Sequence, residues 1–98
     1  MNYLKNKDIT AEYFEEGGVL YNNETDIFYA MDEMGAEIFK FIEENDNAGL
    51  EIILNRTVEQ YDVPKDVAEQ DINTYLNELQ RLDFIIINNN APCLGKTG

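Results

Sequence analysis

Only a few residues in this chain are of a type and spacing that could do chemistry. Near the C-terminus, Gly95-Lys96-Thr97 has the ending of a phosphate-binding loop. Such a loop needs another glycine five residues before the Gly-Lys-Thr, so that backbone N–H groups can cradle the phosphate. Position 90 is Asn90, and no strand-loop-helix context follows, so a phosphate site is not expected. Carboxylate pairs such as Glu15/Glu16 and Glu43/Glu44 have the charge to hold Ca²⁺ or to share acid and base roles. A calcium loop, however, needs Asp or Asn at positions 1, 3 and 5, Gly at 6 and Glu at 12. Asp46-Asn47-Ala48-Gly49 is the nearest fragment and lacks that spacing. Carboxylate runs of this kind usually form solvated faces. Cys93 is the only cysteine, and histidine is absent. A lone thiol builds no thiolate metal cage, and no imidazole is present to activate it as a nucleophile. The chain therefore reads as a non-enzyme, with no catalytic set, no metal site and no cofactor.

Charge narrows the partners. Twenty acidic residues face seven basic ones among 98, a net charge of −13. Phosphate backbones are bound by basic surfaces, so nucleic acid is not an expected partner. An anionic membrane face is disfavoured for the same reason. Charge of this size keeps a small protein soluble, and it also attracts basic peptides. No segment approaches the ~20 apolar residues of a membrane span. Met1-Asn2-Tyr3-Leu4-Lys5-Asn6-Lys7 lacks the apolar run of a signal peptide, so a cytoplasmic location is expected.

The elements that would position a site follow from periodicity. Met1 to Asp8 is polar and expected to fray. Ile9 to Phe14 alternates and predicts a strand. Glu15-Glu16-Gly17-Gly18 is a tight turn. Gly18–Asn22 and Ile27–Met31 form a hairpin around Asn22-Asn23-Glu24-Thr25-Asp26, since Asn and Asp bond their own backbone and tolerate left-handed φ. Asp32 then caps a helix running to Glu44, with the stripe Met34, Ile38, Phe41 and Ile42, and Asn45-Asp46-Asn47 ends it. A second helix starts at Ala48 or Gly49 and runs to Tyr61, its apolar set Leu50, Ile53, Leu54, Val58 and Tyr61. Asp62-Val63-Pro64 breaks it, because the residue before proline avoids helical ψ. A third helix is opened by Asp66 as cap in Asp66-Val67-Ala68-Glu69 and carries Ala68, Ile72, Tyr75, Leu76, Leu79 and Leu82. Phe84 to Ile87 either adds a last strand or folds over the core. The expected fold is α+β and winged-helix-like, a three-stranded antiparallel sheet followed by three helices. The expected domain is 1–87, with a flexible polar tail at 88–98.

Two consequences concern binding. One edge of a three-stranded meander must stay open, and open edges are hazardous unless used or covered. On the third helix each residue turns about 100°. Ile72, Leu76 and Leu79 then face the core, Tyr75 stands at the margin with its hydroxyl free to meet a ligand, and Asp71 and Glu78 lie on the same flank.

The order of these pieces carries a resemblance. Val19-Leu20-Tyr21-Asn22-Asn23, Tyr29-Ala30-Met31-Asp32 and Gly35-Ala36-Glu37-Ile38-Phe39 come first. Leu50-Glu51-Ile52-Ile53, Tyr61-Asp62-Val63 and Asp71-Ile72-Asn73-Thr74-Tyr75-Leu76-Asn77-Glu78-Leu79 follow. Together, over about Ile9 to Ile86, they resemble the PqqD-like family, the precursor-peptide recognition elements of ribosomal-peptide modification systems. Three positions depart from the family: Asp83 stands where Gly commonly ends the third helix, Phe39 where Trp is common, and Asn47 or Gly49 near where Thr or Ser usually caps the second helix. The resemblance implies a non-catalytic module that captures the leader region of a ribosomally made precursor. It would present that peptide to a modifying enzyme such as a radical-SAM enzyme, a cyclase or a protease. The expected mode is strand addition at Asp26, Ile27, Phe28, Tyr29, Ala30 and Met31, with Asp71, Tyr75 and Glu78 on the facing wall. The alternative is a winged-helix regulator or its acidic decoy, and the net charge disfavours direct reading of DNA.

Overall fold

Ile9–Phe14, Gly17–Asn22 and Ile27–Met31 form an antiparallel meander, here β2, β3 and β4, in spatial order β2-β3-β4. The computed structural model describes residues 2–45 and 48–88. Strand register places Leu20 between Ala11 and Tyr29, and Tyr21 beside Phe28. Side chains alternate across a sheet, so Leu20 enters the core while Phe28 faces away from it. The tight turn before β3 depends on Gly17, which has φ 150°. A Cβ there would come within 2.3 Å of the Met31 carbonyl oxygen, so only glycine lets β3 start this close to the end of β4.

Helix α1 spans Glu33–Glu44. Asp32 caps it as expected, its Oδ1 accepting the Gly35 N–H at 2.7 Å. Helix α2 spans Leu50–Tyr61, and α3 spans Lys65–Arg81. Asp66 is not the cap of α3. The helix begins two residues earlier than that cap implies, at Lys65 directly after Pro64, whose fixed φ already suits a helix entrance. Asp66 sits in the first turn instead, where a negative charge favours the positive end of the helix dipole. On α2 the buried set includes Thr57, whose hydroxyl donates to the Ile53 carbonyl. Leu20, Phe39, Ile42, Ile72, Leu76, Leu79 and Phe84 are all sealed from solvent between the meander and the helices. Burying each contributes roughly 1.5–3 kcal/mol.

The N-terminus corrects the expectation of fraying. Asn2–Lys5 is a strand, β1, and it is the centre of a second sheet. It pairs with β5 (Ala48–Gly49) on one side and with β6 (Ile85–Asn88) on the other. Tyr3 lies opposite both Ala48 and Ile87 and is buried. The polar letters around it hid this, since β1 is held by partners from the far end of the chain. Of the two alternatives for Phe84–Ile87, the added strand is the one formed. The fold is α+β with three helices, and the second sheet sets it apart from a simple winged helix. Asp46-Asn47, Cys93, the Gly95-Lys96-Thr97 stretch and residues 89–98 of the expected tail lie outside the described residues. Among the described residues, no helix is long and apolar enough to cross a membrane.

The junction between α3 and β6 is a Schellman turn. Phe84 N–H donates to Leu79 O at 2.8 Å, and Asp83 N–H to Gln80 O at 3.0 Å. Asp83 holds φ 64°, the left-handed position that usually takes glycine. Its carbonyl accepts the side-chain amides of Asn6 at 2.9 Å and Asn22 at 3.3 Å. Asn22 is fully buried, and its Oδ1 accepts the N–H groups of Glu24 and Thr25. One side chain thus shapes the β3–β4 turn and ties it to the end of α3.

Candidate functional site

Strand β4 forms an edge of its sheet, with β3 on one side only. Ile27, Phe28 and Ala30 are exposed, Tyr29 is half-buried and Met31 is buried. The other wall comes from α3, and the N-terminal turn of α1 makes the floor. Between them lies an open groove of about 510 Å³. Tyr29 lines it from β4, Asp32, Met34, Gly35 and Ile38 from the start of α1, and Asp71, Ile72, Thr74, Tyr75 and Glu78 from α3. The Tyr29 ring lies 6.3 Å from Tyr75 and 5.9 Å from Phe84. An aromatic seam therefore runs from the edge strand to α3.

Of the residues expected at the site, Tyr29, Asp71, Tyr75 and Glu78 meet in this groove. Ile27, Phe28 and Ala30 lie along the open edge beside it. Met31 belongs to the core, so only its backbone is available at the edge. Asp26 sits in the turn with φ 63°, its carboxylate accepting the Tyr21 hydroxyl. The Tyr75 hydroxyl does not reach out to solvent as expected. It donates to the Gly35 carbonyl at 2.8 Å, while the residue still lines the groove. Thr74 was legible in principle, because positions 71, 74, 75 and 78 form one stripe on a helix. Asp32, whose sequence context marks a cap, also lines the groove because α1 starts immediately after β4.

The groove is acidic. Asp32, Asp71 and Glu78 line it. Arg81 donates to Glu78 at 2.6 Å, and this partner holds the Glu78 carboxyl below the usual range. Burial, followed by the nearby Glu78 and Asp32 charges, pushes the Tyr29 hydroxyl up. Burial is also the main cause of the rise at Tyr75, reinforced by Tyr29 and Asp32. Both rings stay neutral at physiological pH, so the negative charge resides on the carboxylates. Among the described residues, no group of three or more His, Cys, Asp or Glu is placed to hold a metal ion. An open ladder beside an aromatic, acid-lined groove suits an extended chain with apolar and cationic side chains.

The family model described as Coenzyme PQQ synthesis protein D (PqqD) matches residues 17–85, well over half of the chain. The chain belongs to the PqqD family. In this PqqD-family chain the matched span runs from β3 to the start of β6 and contains every residue lining the groove. Two solved structures share its fold. One is TbiB1 in complex with the TbiA(beta) leader peptide, 20% identical, with TM-score 0.76 over 84% of this chain and 93% of that one. The other is lasso peptide synthetase B1 complexed with its leader peptide, 16% identical, with TM-score 0.75 over 89% of this chain and 100% of that one. No curated protein matches this PqqD-family chain significantly.

Proposed function

We propose that this PqqD-family domain binds the leader region of a ribosomally synthesised precursor peptide as an added strand on β4 and presents it to a modifying enzyme. The observation that carries this reading is the open β4 edge lying against the groove. Backbone groups of residues 26–31 would supply affinity, and the groove would supply selectivity for alternate side chains. Asp71, Tyr75 and Glu78 form the facing wall. The fold shared with two proteins solved with leader peptides supports the same reading. Residues 1–87 act as the recognition domain. The domain holds the substrate, and bond-making chemistry belongs to the partner, a radical-SAM enzyme, a cyclase or a protease. Its place of action is the cytoplasm, where ribosomal precursors are made.

The ligand for the test is the leader segment encoded by any short precursor reading frame found to adjoin this gene. Titrating it into isotope-labelled protein should shift the amides of residues 27–31 and 71–78. Ala30→Pro removes a backbone donor from an edge strand, where proline is tolerated. It should keep the circular dichroism and lose the peptide. Amide shifts confined to other elements, or full binding by a folded Ala30→Pro, would overturn the reading.

A further inference from the structure

Phe28 is not explained by the groove. It is 69% exposed, more than any other large apolar side chain among the described residues, and it stands on an open edge. Edge strands are commonly guarded by charged residues or proline, which discourage unwanted pairing. Ile27–Met31 contains neither. Alternation along β4 directs Tyr29 toward the groove and Phe28 to the opposite face. There Phe28 has a partner already in place. Tyr21 is its register neighbour on β3, the two rings are 4.6 Å apart and tilted by 47°, and the Tyr21 hydroxyl is bound by Asp26. The outer sheet face therefore ends, at its open edge, in an ordered aromatic pair.

We propose that Phe28 is a specificity-determining residue that reads the bound strand on the face opposite the groove. This rests on the strand-addition reading above. A strand added to β4, running in either direction, lays one side chain beside Phe28 on the outer face. The residues before and after it then point toward the groove. The recognised segment thus carries a large aromatic or aliphatic side chain at the outward position between two inward ones. Such a segment is apolar on its outward face, while its groove-facing side chains meet both the rings and the carboxylates of the groove. Its outward residue covers Phe28, which accounts for an edge left without a guard. Because Tyr21 already restrains the Phe28 ring, little further side-chain freedom is lost on binding.

The test uses random twelve-residue peptides displayed on phage and selected on the whole chain. Three forms are compared: wild type, Phe28→Thr and Phe14→Thr. Threonine preserves strand propensity. Phe14 is 59% exposed on the same sheet face but on β2, where it shares a hollow with Ala30 and Met31 rather than with Phe28, so its loss removes similar apolar surface elsewhere on that face. Circular dichroism confirms that each form is folded. Wild type and Phe14→Thr should enrich one family of sequences with a large apolar residue at a fixed position. Phe28→Thr should lose that preference, and a synthetic winner should bind it about fivefold more weakly. Equal affinity of the winner for Phe28→Thr and wild type would overturn this inference and leave strand addition standing. No enriched family on the wild type would overturn both.

Discussion

The Tyr75 hydroxyl donates to the carbonyl of Gly35, forty positions away in the chain. A Cβ on residue 35 would stand 3.1 Å from both the Tyr75 hydroxyl and the Asp32 carboxylate oxygen. The bare Cα of Gly35 is what allows the ring to lie against the first turn of α1. This contact joins α3 to α1 at the floor of the groove, and it separates two kinds of substitution. Tyr75→Phe keeps the ring and loses one hydrogen bond, so urea unfolding should show a loss of about 1 kcal/mol. Leader binding should stay within about twofold, since a net loss of that size belongs to folding rather than to the groove surface. Gly35→Ala should push the ring into the groove and weaken leader binding more than Tyr75→Phe does, as read by calorimetric titration.

Alkaline stability should report the half-buried tyrosines Tyr13 and Tyr75. Burial is the main cause of the raised values at Tyr75 and Tyr13, and a hydrogen bond to Glu43 adds to it at Tyr13. The unfolded chain ionises these groups near the ordinary value of about 10, while the folded chain still holds their protons. Above that pH the unfolded state binds fewer protons, so stability must fall as pH rises. It is unaffected by these groups at lower pH. The double variant Tyr13→Phe, Tyr75→Phe should lose less stability than wild type between about pH 9 and pH 11. Urea midpoints measured across that range check this, and parallel curves for the two proteins would refute it.

Among the groove carboxylates, Asp71 should matter more than Glu78. Arg81 already partners Glu78, so that carboxylate has less charge to offer a ligand, and the exposed Arg81 side chain can turn into solvent once released. Asp71→Ala should therefore weaken a leader bearing Lys or Arg several-fold, and Glu78→Ala should do so less. Glu15→Ala with Glu59→Ala removes two exposed charges outside the groove and should change little. Raising salt should weaken wild-type binding more than Asp71→Ala binding, because exposed ion pairs are screened within about 10 Å at 0.1 M. Titrations at low and physiological salt test both points. Equal losses from the Asp71 variant and the distant pair would mean that net charge alone matters.

The polar tie between Asn22 and Asp83 should dominate local stability. Asn22→Leu leaves the Glu24 and Thr25 N–H groups without their side-chain acceptor, at a cost of about 2–3 kcal/mol. Asp83→Gly should act in the opposite direction. It relieves a left-handed φ and removes a negative charge from a helix C-terminus, for a gain of up to about 1 kcal/mol. Both are read from urea midpoints.

Local pattern was enough to reveal the meander, the Asp32 cap and the three helices. A period of two in Ile9–Phe14 and the helical spacing of Ala68, Ile72, Leu76 and Leu79 each state which face is apolar within a few residues. The same geometry placed Asp71, Tyr75 and Glu78 on one flank, and a meander necessarily has an open edge. Only the tertiary structure decided where distant groups would meet. Nothing near Tyr3 announces that it pairs with Ile87, and nothing near Asn22 announces that its amide ends at Asp83. The direction of the Tyr75 hydroxyl was likewise open until Gly35 was seen beneath it. Periodicity records the burial of a face, whereas a hydrogen bond needs one particular donor and one acceptor brought to contact. That meeting depends on how α3 ends. The left-handed turn at Asp83 sends Ile85–Asn88 back along Asn2–Lys5, so β6 joins the second sheet and β4 keeps an unpaired edge.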